Sequence, residues 1–333
     1  MTLASYVRLA DFTTLRLGGP ARDFVTASTD DEIIDAVTRA EGPILILGGG
    51  SNLVVADDGF DGTVVRIATR GLDVDGTTVT VAAGEPWDHV VQSTIEHGLA
   101  GLECLSGIPG LAGATPIQNV GAYGQEVADT LAWVRVYDQQ THQVMIFHNE
   151  ACHFAYRTSL FRGTDRYIVL EVCFELHRQR KPPRYADLAA LTGEDASLAD
   201  VRTAVLGLRR GKGMVLDPAD PDTSSVGSFF TNPVVDVTVA PPGAPAFPVP
   251  SEQGGPALVK LPAAWLIEQA GFARGYQGPD GARISTKHSL ALVNPGGATT
   301  EGLVALAREI RDTVRERFGI ELRPEPILVG VAL

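Results

Sequence analysis

The sequence is poor in cysteine and lacks both a basic block and a long hydrophobic run. Cys104, Cys152 and Cys173 are odd in number and show no CxxC spacing. This argues against a disulfide framework or a zinc site and predicts buried thiols. No apolar run is long enough to span a bilayer, and the N-terminus lacks an apolar signal segment. We therefore expect a cytoplasmic protein without membrane insertion.

The charge balance is acidic, with a net charge of −13 and no cluster of lysine and arginine. Such a balance argues against nucleic acid and anionic membranes as partners. A chain of 333 residues is too long for one ordinary core, and a hydrophobic content of 44% is enough to fill more than one. The length therefore predicts two or three domains.

Residues 101–124 read GLECLSGIPGLAGATPIQNVGAYG, and the rest of the chain is organised around this loop. Six glycines fall in it, and no charged residue occurs between Glu103 and Glu126. Glycine permits positive φ and close backbone approach, while Pro109 and Pro116 exclude a helix or a central strand. The loop therefore offers main-chain amides, as loops that hold nucleotide phosphates do. On composition alone, a glycine-rich connector is the alternative.

A second glycine cluster, GGGSN at residues 48–52, follows the apolar run ILIL, which we predict to be a buried strand. The β-α-β opening invites a Rossmann interpretation. However, no helix follows the glycines and the GxGxxG fingerprint is absent. A glycine loop that faces phosphates here must belong to another fold, and a tight turn is the alternative.

Local signals predict the main helices and strands. A Thr29–Glu32 capping box predicts a helix to about Ala40, and Glu301 begins a helix that ends at Gly319. Further helices are predicted with Pro86 at the first helical position, after the cap Ser197, and over PAAWLIEQAGF up to Gly271. Strands are predicted over LAWVRVYD, HQVMIFH, IVLEVCFEL and both sides of Pro324–Pro326. The Asp/Pro-rich residues 217–225 mark a domain boundary.

Five motifs together carry a family resemblance: ILGGGSNLVV, IPGLAGATPIQNVGAYG, YRTSLF, GSFFTNP and RPEP. Spread from residue 48 to residue 326 in family order, they resemble the UDP-N-acetylenolpyruvoylglucosamine reductase (MurB) family of peptidoglycan precursor synthesis. The RYADL segment resembles the subtype that closes a tyrosine loop over its substrate. Ser224–Val226 and Thr231 depart from the family pattern, which often has Asn-Ala before the glycine and Lys after the phenylalanines.

The resemblance implies an α+β fold of three domains. Residues 1–66, with a returning segment 321–333, and residues 67–216 would form an FAD-binding unit of the vanillyl-alcohol-oxidase (PCMH) type. Residues 217–320 would form an α+β substrate-binding domain. The implied activity is reduction of the enolpyruvyl group of UDP-GlcNAc-enolpyruvate, with non-covalent FAD as cofactor and NADPH as co-substrate.

The same resemblance implies the site residues. Arg157 would stabilise the charge that builds on the substrate carboxylate, Ser228 would donate a proton to carbon, and Glu325, held between two prolines, would polarise the enol. The implied cofactor residues are Gly48, Gly49, Gly50, Ser51, Asn52, Ile108, Pro109, Gly110, Gly113, Ala114, Thr115, Pro116, Asn119, Gly121, Ala122, Tyr123 and Gly124. The implied substrate residues are Tyr185, Arg209, Lys212, Asn232 and His288. No metal is expected, and we expect a monomer.

Two other functions stay open at this stage. One is an oxidase of the same fold, in which flavin is attached through a residue such as Cys104 or His153. The other is a non-enzymatic protein that binds a nucleotide sugar or flavin. The presence of Arg157, Ser228 and Glu325 together favours the reductase.

Overall fold

The computed structural model describes residues 2–182, 185–193, 195–250 and 255–333. In chain order its strands are β1 Thr2–Arg8, β2 Pro20–Ala27, β3 Ile44–Leu47, β4 Leu53–Val55, β5 Phe60–Ile67, β6 Leu72–Asp75, β7 Thr78–Ala82, β8 Gly121–Ala122, β9 Gln125–Glu126, β10 Leu131–Asp138, β11 Gln143–His148, β12 Tyr167–Glu175, β13 Val234–Asp236, β14 Phe247–Val249, β15 Leu258–Lys260, β16 Arg283–Ile284, β17 Leu292–Val293 and β18 Ile327–Val329. Its helices are α1 Asp30–Arg39, α2 Trp87–Glu96, α3 Ala186–Thr192, α4 Leu198–Gly211, α5 Ala263–Gln269 and α6 Thr300–Phe318.

The chain forms two compact units. The first comprises Met1–Val7, Ala21–Gly50 and Asp61–Val215, and the second comprises Arg8–Pro20, Ser51–Phe60 and Leu216–Leu333. Their boundary at Leu216 lies beside the predicted Asp/Pro linker. The units cut across the predicted first domain, and the division into three domains stays a prediction.

The first unit contains a four-stranded sheet of order β1-β2-β5-β3 and a five-stranded sheet of order β11-β10-β12-β7-β6. The second sheet is antiparallel, and it includes the predicted hairpin of β10 and β11. The prediction that ILIL is a buried strand was wrong in its burial. Only Leu47 of β3 is buried, because the other three side chains retain partial exposure.

Helix starts in the first unit follow the predicted caps. Thr29 Oγ1 accepts from the Glu32 amide at 3.2 Å, and Ser197 Oγ accepts from the Asp200 amide at 3.1 Å. These bonds satisfy amide donors that the first turn of a helix leaves open. Pro86 is the N-cap of α2 and not its first helical residue, because its ψ of 125° is outside the helical range.

Helix α2 buries the predicted face in the main core of the first unit. Trp87, Val90, Val91 and Thr94 have no exposed surface, and the Trp87 ring lies 5.8 Å from that of Phe174 on β12. A smaller cluster joins α3 and α4 to the glycine loop. It contains Cys104, Leu188, Val201 and Val205, with Tyr123 packed against it. All three cysteines are buried thiols, as predicted.

The second unit is built around α6. Thr299 caps this helix through the Gly302 amide at 3.0 Å, and its buried face includes the predicted Leu303, Leu306, Ile310 and Val314. The last strand, β18, pairs in parallel with β4. The residues before Pro324 do not form the predicted strand, although Leu322 is buried, because their pairing with the segment of Phe230 and Thr231 is an isolated bridge and not a ladder.

Within residues 2–182, 185–193, 195–250 and 255–333, no helix is both long and apolar enough to cross a membrane. The same residues contain no group of three or more histidine, cysteine or acidic side chains that could hold a metal ion.

Candidate functional site

The two glycine clusters meet backbone to backbone in the first unit. A Cβ atom on Gly49 would lie 2.7 Å from the Cα of Gly110, so no side chain fits between them. Gly110 has φ of +124° and Gly50 has φ of +60°, conformations that favour glycine. The predicted phosphate loops therefore form one cradle of main chain. This cradle fits the diphosphate of FAD, because close backbone approach and amide donors are what such a group requires.

The middle of the loop is fixed against the end of β7. The Gly113 amide donates to the Ala83 carbonyl at 2.9 Å, and a Cβ on Gly113 would collide with the side chain of Ala83. Thr115 is buried and donates to the Ala112 carbonyl at 2.8 Å. The hydroxyl of Thr115 thus shapes the loop.

Asn119 is a scaffold residue of the loop. It is 1% exposed and its φ is +47°. Its side-chain nitrogen donates to Glu126 at 2.9 Å and to the Ala155 carbonyl at 3.3 Å, and its side-chain oxygen accepts from the Ala128 amide at 3.0 Å. Both polar groups of the Asn119 side chain therefore bond within the protein. The predicted contact of Asn119 with the cofactor stays a prediction, and it would be made by the backbone.

Arg157 lies against the same loop. Its guanidinium donates to the Gly121 carbonyl at 2.7 Å and to the Asn119 carbonyl at 3.4 Å. Its backbone is in the left-handed region, with φ of +55°, and Arg162 donates to its carbonyl at 2.6 Å. Ser159 donates to the Ile117 carbonyl at 2.7 Å. The YRTS motif therefore binds the end of the glycine loop, which places a cation beside it.

The loop ends in an aromatic cluster. The ring of Tyr185, the N-cap residue of α3, meets that of Tyr123 edge-on at 5.4 Å, and Lys212 Nζ lies 5.9 Å from the centre of the Tyr123 ring. Arg184 of the RYADL motif lies outside the described residues. Three predicted site residues therefore lie together. Tyr123 was predicted to bind the cofactor, but its ring contacts Tyr185 and Lys212, which were predicted to bind the substrate.

Arg209 is buried, with 8% of its surface exposed. It donates to the Met214 carbonyl at 2.8 Å, and burial lowers the pKa of its guanidinium. The predicted contact of Arg209 with the substrate stays a prediction.

In the second unit, Ser228 and Glu325 lie on adjacent segments. The Phe229 carbonyl accepts from the Glu325 amide at 2.8 Å, and Phe230 forms a bridge with Pro324. Phe229 and Phe230 are fully buried, whereas Ser228 keeps partial exposure. Gly227, with φ of +74°, turns the chain just before the serine. Two residues almost 100 positions apart are thereby neighbours.

Three other predicted residues adjoin these segments. Leu290, two residues after His288, accepts from the Phe229 amide at 2.8 Å. Asn52 exchanges bonds with the RPEP segment: its side chain donates to the Glu325 carbonyl at 3.4 Å, and its carbonyl accepts from the Ile327 amide at 2.9 Å. Asn232 accepts from the Ala263 amide at 2.9 Å, which caps α5.

Sequence reasoning missed a buried ion pair that precedes Ser228. Asp222 is 3% exposed and accepts from Arg283 at 3.1 Å and from the hydroxyl of Thr286. Burial alone raises the pKa of Asp222, but the bonds from Thr286 and Arg283 outweigh it and hold that pKa below its ordinary value. The pair ties residues 220–223 to the TKHS turn. The only sequence signal was an acidic, proline-rich stretch, which is more typical of a linker.

Comparison with known proteins defines the class first. Residues 21–145 match the profile described as "FAD binding domain", and residues 218–329 match "UDP-N-acetylenolpyruvoylglucosamine reductase, C-terminal domain". The α+β fold is therefore an FAD-binding unit of the PCMH type followed by a reductase C-terminal domain, as the sequence predicted.

Close relatives then identify the family. The chain is 52% identical to UDP-N-acetylenolpyruvoylglucosamine reductase of Thermobifida fusca, over 100% of this chain and 99% of the relative. It is 53% identical to that of Streptomyces coelicolor, over 98% and 90%. The crystal structure of the reductase (MurB) from Thermus caldophilus superposes with a TM-score of 0.70 at 29% identity and covers 97% of each chain. The chain belongs to the UDP-N-acetylenolpyruvoylglucosamine reductase family.

Proposed function

We propose that this protein reduces the enolpyruvyl group of UDP-GlcNAc-enolpyruvate to the lactyl ether with NADPH, giving UDP-N-acetylmuramate for peptidoglycan synthesis. The observation that carries this proposal is the bond between the Phe229 carbonyl and the Glu325 amide at 2.8 Å, because it sets the predicted proton donor beside the predicted carboxyl group. Family membership supplies the substrate class.

FAD fits the first unit without a covalent link. Gly48–Gly50 and the start of the segment from Gly110 to Ala114 would hold its phosphates through main-chain amides. The amides of Ala112, Gly113 and Ala114 donate to carbonyls of the protein and shape the loop instead, and residues 108–124 would surround the rest of the cofactor. When bound, reduced flavin supplies a hydride to the vinyl carbon of the substrate.

Arg157 stabilises the charge that develops on the substrate carboxylate as hydride adds to the vinyl carbon. Its guanidinium is held in place by the Gly121 carbonyl at 2.7 Å, so little reorganisation is needed during the reaction. Charge-assisted bonds strengthen as charge develops, which favours the transition state over the bound substrate.

Ser228 donates its hydroxyl proton to the carbon that bears the carboxylate. A serine hydroxyl is a weak acid, but the acceptor is a reactive enolate-like carbon. Glu325 polarises the enol from the neighbouring segment. Gly227 and the buried pair Phe229 and Phe230 hold Ser228 in position. Addition of hydride and proton across one double bond balances the reaction.

Tyr185, Lys212, Asn232 and His288 bind the rest of the substrate, with Tyr185 and Lys212 on the diphosphate. We assign the protein to the subtype in which the tyrosine segment closes over the substrate, since Tyr185 is 40% exposed at the start of α3. We also propose that the protein is a cytoplasmic monomer that does not bind nucleic acid.

The purified protein tests this proposal directly. It should be yellow, and it should oxidise NADPH rapidly only when UDP-GlcNAc-enolpyruvate is present, with UDP-N-acetylmuramate formed in equal amount. An oxidase of the same fold would instead consume oxygen without that substrate. A non-enzymatic binding protein would show no NADPH loss in either case.

A further inference from the structure

Two side chains of the first unit converge on the ring of Tyr123. The ring of Tyr185 meets it edge-on, with centroids 5.4 Å apart and an interplanar angle of 88°. Lys212 Nζ lies 5.9 Å from the ring centre. Both geometries are attractive, because the face of an aromatic ring is negative and its edge is positive. Tyr185 and Lys212 thus both contact the ring of Tyr123.

Two cations, Arg209 and Lys212, lie near the ring of Tyr123. Arg209 is 8% exposed, and its Nε has no hydrogen-bond partner among the residues that the structure describes. The nearby Asp88 carboxylate is held by both terminal nitrogens of Arg202, at 2.7 and 2.8 Å. In the described part of the chain, Lys212 forms no ion pair with a carboxylate. The acidic neighbours are Asp187, whose charge acts on the Tyr123 hydroxyl, and Asp200, which lines the same cavity as Lys212.

An ammonium group, a phenol hydroxyl and a guanidinium that shares the charge of Asp88 with Arg202 suit a phosphate group. In the proposed function, that group is the diphosphate of the UDP-sugar. The side chains of Lys212 and Tyr185 can adopt several rotamers. The lysine stem alone has four rotatable bonds, and fixing them on binding costs conformational entropy. Something must therefore hold the two donors before the substrate arrives.

We infer that Tyr123 is a positioning residue for diphosphate binding: its ring holds Tyr185 and Lys212 in the places from which they contact the phosphates. The inference rests on the proposed function and changes one predicted role, since the sequence assigned Tyr123 to the cofactor. The ring direction is set by the backbone, where Tyr123 has φ of +49° and Gly124 has φ of +84°. Positive φ at a bulky residue is costly, which fits a ring that must point one way.

The test compares ring-free and ring-bearing variants of Tyr123. Tyr123→Asn removes the ring and tolerates positive φ, Tyr123→Leu removes the ring but keeps apolar bulk, and Tyr123→Phe keeps the ring. Tyr6→Asn is the matched control, because Tyr6 also has positive φ, at +57°, and is 77% exposed. Dissociation constants for UDP-GlcNAc-enolpyruvate are measured by calorimetry on the oxidised FAD-loaded protein without NADPH, so no turnover occurs.

Both ring-free variants should raise the dissociation constant about ten-fold, since each loses an aromatic pair and a cation–π contact. Tyr123→Phe should recover most of the affinity, and Tyr6→Asn should bind as the parent does. FAD content, read from the ratio of visible to ultraviolet absorbance, should not fall. In the double variant Tyr123→Asn with Lys212→Met, the combined loss should be smaller than the product of the two single losses, because both act on one contact.

Several outcomes overturn the inference. If both ring-free variants bind the substrate as tightly as the parent, the Tyr123 ring is not needed to position Tyr185 and Lys212. A Phe variant as weak as the Asn variant assigns the effect to the hydroxyl, and loss of FAD returns Tyr123 to the cofactor. If the loss of affinity in the double variant equals the product of the two single losses, Tyr123 and Lys212 act independently. Failure of the parent itself to bind the substrate overturns the proposed function instead.

Discussion

Three residues of the first unit to which a role is assigned have a strained backbone. Asn119, Tyr123 and Arg157 all have positive φ, at +47°, +49° and +55°. Such conformations cost about 1–3 kcal/mol each and persist only when the surroundings fix them. The surroundings do so here, because Arg162 donates to the Arg157 carbonyl and Glu126 accepts from the Asn119 side chain.

Tyr185→Phe tests the role of one exposed hydroxyl. We expect substrate binding to weaken by about 1.5–3 kcal/mol, the net value of a hydrogen bond to a charged group. The ring contact with Tyr123 at 5.4 Å is retained in this variant. Calorimetry on the oxidised protein measures the loss, with Tyr6→Phe as control. Unchanged affinity would place the Tyr185 hydroxyl outside the substrate site.

At the scale of elements, the sequence predicted helix ends that are set by hydrogen bonds between residues close together in the chain. The capping signals at Thr29 and Ser197 and the start and end of α6 were correct, since the partners lie within four residues of each other. The family motifs named the loops of the candidate site. The sequence did not predict which loops touch, because the contact of Gly49 with Gly110 depends on tertiary structure.

The ion pair of Asp222 shows the same limit. Its partner Arg283 is 61 residues away, and neither residue belongs to a motif. The stretch from Asp217 to Ser225 resembled a linker, but Asp222, Thr223, Ser224 and Ser225 are all buried. Burial of this kind follows from the packing of the second unit and has no local signal. The network anchors the segment that leads to Ser228.

Asp222→Asn tests that anchor through pH. The folded-state pKa of Asp222 is held below its ordinary value, so its ionised form stabilises the fold above the unfolded pKa of about 3.9, and this contribution is lost as the pH falls through the folded pKa. We expect the variant to lower the free energy of unfolding by about 1–3 kcal/mol at pH 7. The difference from the parent should shrink below about pH 4.

Urea denaturation at pH 7, 5 and 3.5 measures this difference. Asp58→Asn, an exposed carboxyl of the same unit, is the matched control and should change little at any pH. A difference between parent and Asp222→Asn that stays constant down to pH 3.5 would show that the carboxylate charge is not what stabilises the segment.

At the scale of the whole molecule, most of the predicted cofactor residues and the proposed proton donor belong to different units. Most of the predicted cofactor residues, with Arg157, lie in the first unit, whereas Ser228 and Glu325 lie in the second. Ser51 and Asn52 of the glycine cluster belong to the second unit as well. Variants of the glycine loops should affect cofactor binding, whereas variants of Ser228 and Glu325, like those of Arg157, should affect the transfer to the substrate.

The protein should bind FAD without a covalent link. Cys104, a possible attachment point, is 2% exposed, and burial, with the charge of Glu103, raises the pKa of its thiol to about 12. The thiolate needed for attachment is scarce at neutral pH. Acid precipitation of the yellow protein should release the chromophore into the supernatant. Colour that stays in the pellet would indicate a covalent link.

Ser228→Ala tests the central claim most directly, because the reaction has two halves and only the second needs a proton on carbon. Stopped-flow absorbance of the flavin follows each half. We expect reduction by NADPH to stay within a few-fold of the parent. Reoxidation by UDP-GlcNAc-enolpyruvate should slow by about 10²–10⁴-fold, the usual worth of a positioned general acid. Ser228→Cys should recover part of that rate, since a thiol also donates a proton. Equal slowing of both halves would show that Ser228 is structural, and an unchanged second half would show that the proton comes from another group.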